Sequence, residues 1–243
     1  MRCMLLIYLI SVALFQQAVA QDNPFSDGPV FVDGDVPCDD IYAQGTICRE
    51  LAAPFSYMKD GLGWEAAPGL ITDGASIPHW AQWLIGKPYD EDFAKAATLH
   101  DHYCREEHHV RDYLSTQRMF YNALIDSGVD GVKAGVMYAA VLVGAPKWTQ
   151  VVPGKQCTNI KGEICVRTTV TPVPGVALST NNIEAKYDEL PMEDLTREFQ
   201  RRIVSEDLSP EQIEEMALAY RVRLGYELPS LAIRQQAGDA AIQ

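Results

Sequence analysis

Phe93-Ala94-Lys95-Ala96-Ala97-Thr98-Leu99-His100-Asp101-His102-Tyr103-Cys104 is the stretch on which the fold turns. Phe93, Ala96, Ala97, His100 and Cys104 recur at the spacing of one helical face, which predicts a helix from Phe93 to about Arg105. An adjacent His-Asp pair sits inside it. Neighbouring helical residues point about 100° apart, so His100 and Asp101 each aim at a different element. A second helix is predicted from about Asp112 to Ser127, stopped by Gly128, with Tyr113, Gln117, Phe120 and Leu124 on one face. Packing the two faces together buries a histidine and a glutamine among apolar neighbours. Buried polar groups need partners, so His100 and Gln117 are expected to bond each other. Asp101 then points at the loop Thr72-Asp73-Gly74-Ala75-Ser76-Ile77-Pro78. There Asp73 and the backbone carbonyls could join Asp101 around a hard cation such as calcium.

Working outward, Glu50 to Met58 and Leu62 to Ile71 read as strands joined by the turn Lys59-Asp60-Gly61. Pro54 and Pro68 confine them to an edge or break them early. Pro78 to Ile85 reads as a short helix carrying Trp80 and Trp83, and Val132 to Val143 as a helix apolar nearly all round, hence buried. Residues 149–181, rich in Val, Thr, Pro and Gly, read as extended segments. Met192 to Ser205 and Ser209 to Arg223 are amphipathic and acid-rich, the latter opened by the capping box Ser209-Pro210-Glu211-Gln212. The expected fold is therefore α+β: a mostly helical core, a small antiparallel β-hairpin and an acidic helical C-terminal tail. The expected division is a signal peptide over 1–20, an irregular lead-in over 21–48, a main domain over 49–181 and the tail over 182–243. Such a tail docks peripherally or on a partner protein.

Arg2, the apolar run Met4 to Phe15 and the small-residue site Ala18-Val19-Ala20 make up the signal peptide, so the chain is expected to be exported, periplasmic or secreted. Cleavage leaves Cys38, Cys48, Cys104, Cys157 and Cys165 in an oxidising compartment. Cys38–Cys48 and Cys157–Cys165 are the natural local pairs, and Cys104 is left as a buried thiol. The net charge of −13 argues against nucleic acid as a partner, which needs a basic face, and against tight binding to anionic lipid surfaces.

Two functional readings follow. In the first, His100, held by Gln117, activates water as general base. A calcium ion on Asp73 and Asp101 stabilises the oxyanion, making an ester or amide hydrolase acting on a lipid or envelope substrate. In the second, His100 and Asp101 satisfy buried groups and pin the Thr72–Pro78 loop in a non-catalytic cell-envelope or phage-derived structural or binding module. His100 and Cys104 also stand at zinc-ligand spacing, but no second cluster supplies further ligands. There is no Gly-x-Ser-x-Gly elbow and no phosphate-cradling Gly-Lys loop.

Phe55 and Tyr57, the Thr72-to-Pro78 loop, His100-Asp101, and Phe120 with Gly128-Val129 together resemble the family of bacterial and phage proteins known as domain of unknown function 1353, over about residues 50–148. That resemblance implies no activity. The His-Asp pair also resembles, more distantly, the helix of the phospholipase A2 enzymes. There the histidine is the base, the aspartate holds calcium, a tyrosine follows three places later and a second aspartate orients the histidine. This chain has Cys104 in place of that tyrosine and Gln117 in place of that aspartate.

Overall fold

The computed structural model describes residues 23–38, 47–75, 87, 89, 91–105, 111–145, 155–161, 164–170 and 192–223; at 91, 92, 155–161, 164–170 and 192 it describes the backbone alone. The expected signal peptide, the Pro78–Ile85 helix and the Ser76–Pro78 end of the loop lie outside the described residues.

The first half of the chain folds as an interrupted hairpin. Pro54 and Pro68 cannot donate to a ladder, and each expected strand is split near its proline. The pieces are β1 (Arg49–Glu50), β2 (Phe55–Lys59), β3 (Leu62–Ala66) and β4 (Ile71–Thr72). β2 and β3 pair antiparallel from Phe55↔Ala66 to Lys59↔Leu62. Their two-residue loop, Asp60-Gly61, takes φ of 50° and 75°, the left-handed geometry whose twist suits a tight hairpin. β1 and β4 continue the pairing at Arg49↔Thr72 and Glu50↔Ile71. This second ladder places Thr72 and the residues after it.

The hairpin is larger than expected. β5 (Lys155–Lys161) joins β3 at Gly63↔Cys157, and β6 (Ile164–Val170) pairs with β5. The result is a four-stranded antiparallel sheet in the order β2-β3-β5-β6. In the backbone register Cys157 stands opposite Thr168, and Cys165 opposite Ile160. The side chains of the expected Cys157–Cys165 pair lie outside the described ones. Cys38 and Cys48 are bridged, with Cα atoms 5.2 Å apart. The lead-in runs antiparallel along the hairpin through the bridges Phe25↔Tyr57, Phe31↔Leu51 and Val36↔Cys48.

Five helices are described: α1 (Glu91–Tyr103), α2 (Tyr113–Asp126), α3 (Gly131–Gly144), α4 (Met192–Glu206) and α5 (Pro210–Arg223). Their ends follow local chemistry. The Asp112 carboxylate accepts from the Ser115 N–H at 2.9 Å, and Asp130 accepts from Val132 N–H at 3.0 Å and Lys133 N–H at 3.2 Å. At α5 the Ser209 N–H donates to Gln212 Oε1 at 2.8 Å and the Gln212 N–H to Ser209 Oγ at 3.4 Å, the reciprocal box the sequence predicts. Gly128, at φ 89°, ends α2, and the Val129 N–H closes on Leu124 O at 3.0 Å.

Among the described residues two apolar cores result. In the first, Phe55, Tyr57 and Trp64 of the sheet pack on Phe93, Leu99, Phe120 and Leu124 of α1 and α2, and Phe25 stacks on Tyr57 at 4.7 Å between ring centres. In the second, Val136, Leu142 and Val143 of α3 meet Leu195 and Phe199 of α4 and Ile213 of α5. α3 serves both cores, since its Ala134 and Met137 belong to the first; this is why it is apolar nearly all round. The absence of a side chain at Gly135 permits the approach of α5, because a Cβ there would stand 3.0 Å from Ile213 Cδ1. Buried Glu214 accepts from Arg118 at 2.9 Å and from the Tyr138 hydroxyl at 3.0 Å, fixing α5 against α2 and α3. Among the described residues no helix is long and apolar enough to cross a membrane.

Candidate functional site

His100 and Gln117 meet across the α1–α2 seam, His100 Nε2 lying 2.8 Å from Gln117 Oε1. Seventeen positions separate them, yet both fall on the buried faces predicted from spacing. With the amide oxygen as acceptor, Nε2 carries the ring proton and Nδ1 keeps its lone pair. The ring sits 4.7 Å from the Phe120 ring centre and is 8% exposed; Gln117 is fully buried. Burial drops the imidazole pKa from 6.5 to about 4, with the Gln117 bond pulling the other way. His100 is therefore neutral at pH 7. The Gln117 Nε2 donor has no hydrogen-bond partner among the described residues.

Cys104 closes this group at the last turn of α1, its N–H donating to His100 O at 2.9 Å. Its sulfur lies 3.4 Å from His100 Nε2 and 3.8 Å from Nδ1. Cys104 is half-buried, less covered than the buried thiol that its sequence context suggests.

Asp101 turns the other way, to the loop. Its Oδ2 accepts from the Thr72 hydroxyl, and the Asp73 backbone N–H also donates to its carboxylate. Thr72 Oγ in turn accepts from the Gly74 N–H at 3.0 Å. As a residue Asp101 is half-buried, but the carboxylate itself lies among protein atoms. Burial first, then the neighbouring Asp73 carboxylate, hold its pKa well above the usual carboxylate range; the Thr72 bond, the Arg105 guanidinium and the Asp73 N–H oppose this. Asp73 is buried as well.

Three residues that spacing does not single out add to the anchorage of the described part of the loop. Arg105 donates to Ile71 O at 2.6 Å. The Tyr89 hydroxyl reaches Thr72 O at 2.7 Å and Ile47 O at 3.0 Å. Arg49 lies over the Tyr89 ring at 4.6 Å. Tyr89 comes from a stretch without periodicity, and only the fold brings it to Thr72. Calcium takes six to eight oxygen ligands. Here Asp73 and Asp101 supply neighbouring carboxylates, while Ile71 O and Thr72 O are already engaged by Arg105 and Tyr89. Among the described residues no third His, Cys, Asp or Glu joins them in a metal-holding group.

Residues 49–141 match the family described as "Protein of unknown function (DUF1353)". The family resemblance read from Phe55, Tyr57, the Thr72 loop and the His-Asp pair is borne out. The matched interval runs from β1 into α3, so it contains the loop, His100, Asp101, Cys104 and Gln117 and leaves out α4 and α5. Two curated relatives are uncharacterised proteins of Sinorhizobium fredii. The protein y4iH is 38% identical over 120 residues, 49% of this chain and 48% of its own length. The protein y4jT is 36% identical over 157 residues, 61% of this chain and 44% of its own length. This chain thus spans about half the length of the curated relatives it matches. No solved structure matches it.

Proposed function

We propose that the chain is an exported ester or amide hydrolase whose general base is His100, oriented by Gln117. The observation that carries this reading is the 2.8 Å contact between His100 Nε2 and Gln117 Oε1, on a ring that burial keeps neutral at pH 7. A general base must hold an unprotonated nitrogen in a fixed direction. Here one nitrogen is anchored and the other, Nδ1, keeps its lone pair. The Cys38–Cys48 bridge supports the exported, periplasmic or secreted location, because such bridges persist in oxidising compartments. Lipids and other acyl-bearing envelope components are the substrates such a location offers. Calcium on Asp73 and Asp101 belongs to the same reading, since a hard cation would relieve the repulsion of two adjacent carboxylates.

The bond from Thr72 to Asp101 favours a second reading, in which the region is a non-catalytic envelope or phage-derived structural or binding module with its loop pinned to α1. Turnover decides between the two. The mature protein is offered phospholipid vesicles and simple esters, with calcium and with a chelator. We expect hydrolysis that is lost in His100→Ala while the cooperative thermal transition is kept. No turnover under any condition leaves the pinned module as the function, and turnover indifferent to the chelator removes calcium from the mechanism.

A further inference from the structure

Cys104, His100 and Gln117 adjoin one another and are less exposed in that order: a half-buried thiol, an imidazole 8% exposed and a fully buried carboxamide. That is the order in which a nucleophile, its base and the group orienting the base are needed. The substrate meets the outermost member, and the innermost must be rigid. The sulfur stands 3.8 Å from Nδ1, the nitrogen that the Gln117 bond leaves with its lone pair, and 3.4 Å from Nε2. At nearly equal distances from the two nitrogens the sulfur lies against the face of the ring and not in line with the Nδ1 lone pair, so attack requires a turn of the Cys104 side chain about its Cα–Cβ bond; contacts between nucleophile and base tighten when substrate binds. The amide also retains an unspent donor: Gln117 Nε2, fully buried, has no hydrogen-bond partner among the described residues. A buried donor of that kind calls for an acceptor. Cys104 and Gln117 are the outer and inner members of a thiol–imidazole–carboxamide set, an arrangement that recurs on unrelated folds.

We propose that Cys104 is the nucleophile of this hydrolase, with His100 as its proton acceptor and Gln117 as the residue that positions His100, acting on acyl esters. The assignment rests on the hydrolase reading above and replaces water as the attacking group. In the first step the Cys104 sulfur bonds to the acyl carbon, the ester C–O bond breaks, and the thiol proton passes through His100 Nδ1 to the leaving alkoxide. In the second, water gives a proton to Nδ1 and bonds to the acyl carbon; the C–S bond breaks and the proton returns to the sulfur. The sum is ester plus water to acid plus alcohol.

The experiment uses the full mature chain, p-nitrophenyl acetate as the probe, and mass spectrometry of the quenched protein. We expect an acetyl group on Cys104 in the wild-type protein, and a fall in turnover on the order of 100-fold or more in Cys104→Ala. Turnover lost in His100→Ala but kept in Cys104→Ala overturns the nucleophile and leaves the base in place. No turnover and no adduct in the wild type overturns both. Should Cys104→Ala fail to show a cooperative thermal transition, the wild-type adduct decides alone: acetyl on Cys104 supports the assignment, and its absence during turnover overturns it.

Discussion

His100 and Asp101 are neighbours in the chain, yet they end in opposite kinds of surroundings. The His100 side of α1 is a seam between two helices, neutral and apolar, where one carboxamide is the chief polar partner and keeps a donor to spare. The Asp101 side is a charged anchorage. There a hydroxyl and a backbone N–H bond one carboxylate, and Arg105 and Tyr89 hold the carbonyls beside it. One region uses its polar groups largely in holding a loop; the other leaves the Gln117 donor unspent among the described residues. Desolvation acts on both, but with opposite signs, since it disfavours the charged form of each. It makes histidine harder to protonate and aspartate harder to ionise. The two faces of one helical turn therefore lend the fold opposite dependences on pH.

The largest expected effect is on the acid side. The folded-state pKa of His100, about 4, lies below its ordinary 6.5, so between those values the unfolded chain binds the proton more tightly. The stabilisation is present above pH 6.5 and is lost as pH falls towards 4, amounting to about 3 kcal/mol from this residue. Urea unfolding at pH 7, 5.5 and 4 measures it, and His100→Gln should flatten that limb. A flat wild-type curve would mean that the ring is open to water, and the contrast between the two faces would fail.

Next comes Asp101→Ala, expected to cost about 2 kcal/mol because the Thr72 hydroxyl and the Asp73 N–H lose their acceptor. Asp101→Asn keeps an acceptor and removes the charge, and should cost less than about 1 kcal/mol. It should also abolish a decline at higher pH. The raised pKa of Asp101 means that its stabilisation is complete below the ordinary carboxyl range and is lost as pH rises through the raised value. Equal costs for the two variants, in denaturation at pH 6, would show that Asp101 does not anchor the loop.

Thr72→Val sharpens the same point, removing the hydroxyl that serves both Asp101 and the Gly74 N–H for about 1 kcal/mol. The smallest effect is expected of Cys104→Ala, whose stability should stay within about 0.5 kcal/mol of the wild type, since the residue is half-buried and its loss leaves the His100–Gln117 bond intact. A larger loss by thermal denaturation would place the thiol among the structural groups, on the side of Asp101.

Much of this site could be read in advance because it depends on helical period. The spacings of α1 and α2 put His100 and Gln117 on facing stripes, and the hundred-degree step sends Asp101 elsewhere. The Thr72 loop was the right target, but spacing pointed to the Asp73 carboxylate, while the atoms that bond Asp101 are the Thr72 hydroxyl and the Asp73 N–H. Arg105, Tyr89 and Arg49 carry no periodic signal towards the loop, and the Arg118–Glu214 pair joins residues 96 positions apart.

By itself the sequence determined what a few residues settle among themselves: the helix faces, the Asp112, Asp130 and Ser209 caps, the Asp60-Gly61 turn, and the breaks at Pro54 and Pro68. These follow from backbone sterics and local hydrogen bonding, whose reach is one or two turns. Tertiary structure alone decided how far the sheet extends beyond the hairpin, that α4 and α5 cover the outer face of α3 at Gly135, and that Tyr89 and Arg105 close on the carbonyls of Thr72 and Ile71. Apolar burial is non-directional. It marks the tail helices and α3 as needing cover, but leaves the choice of surface to the packing of the whole chain.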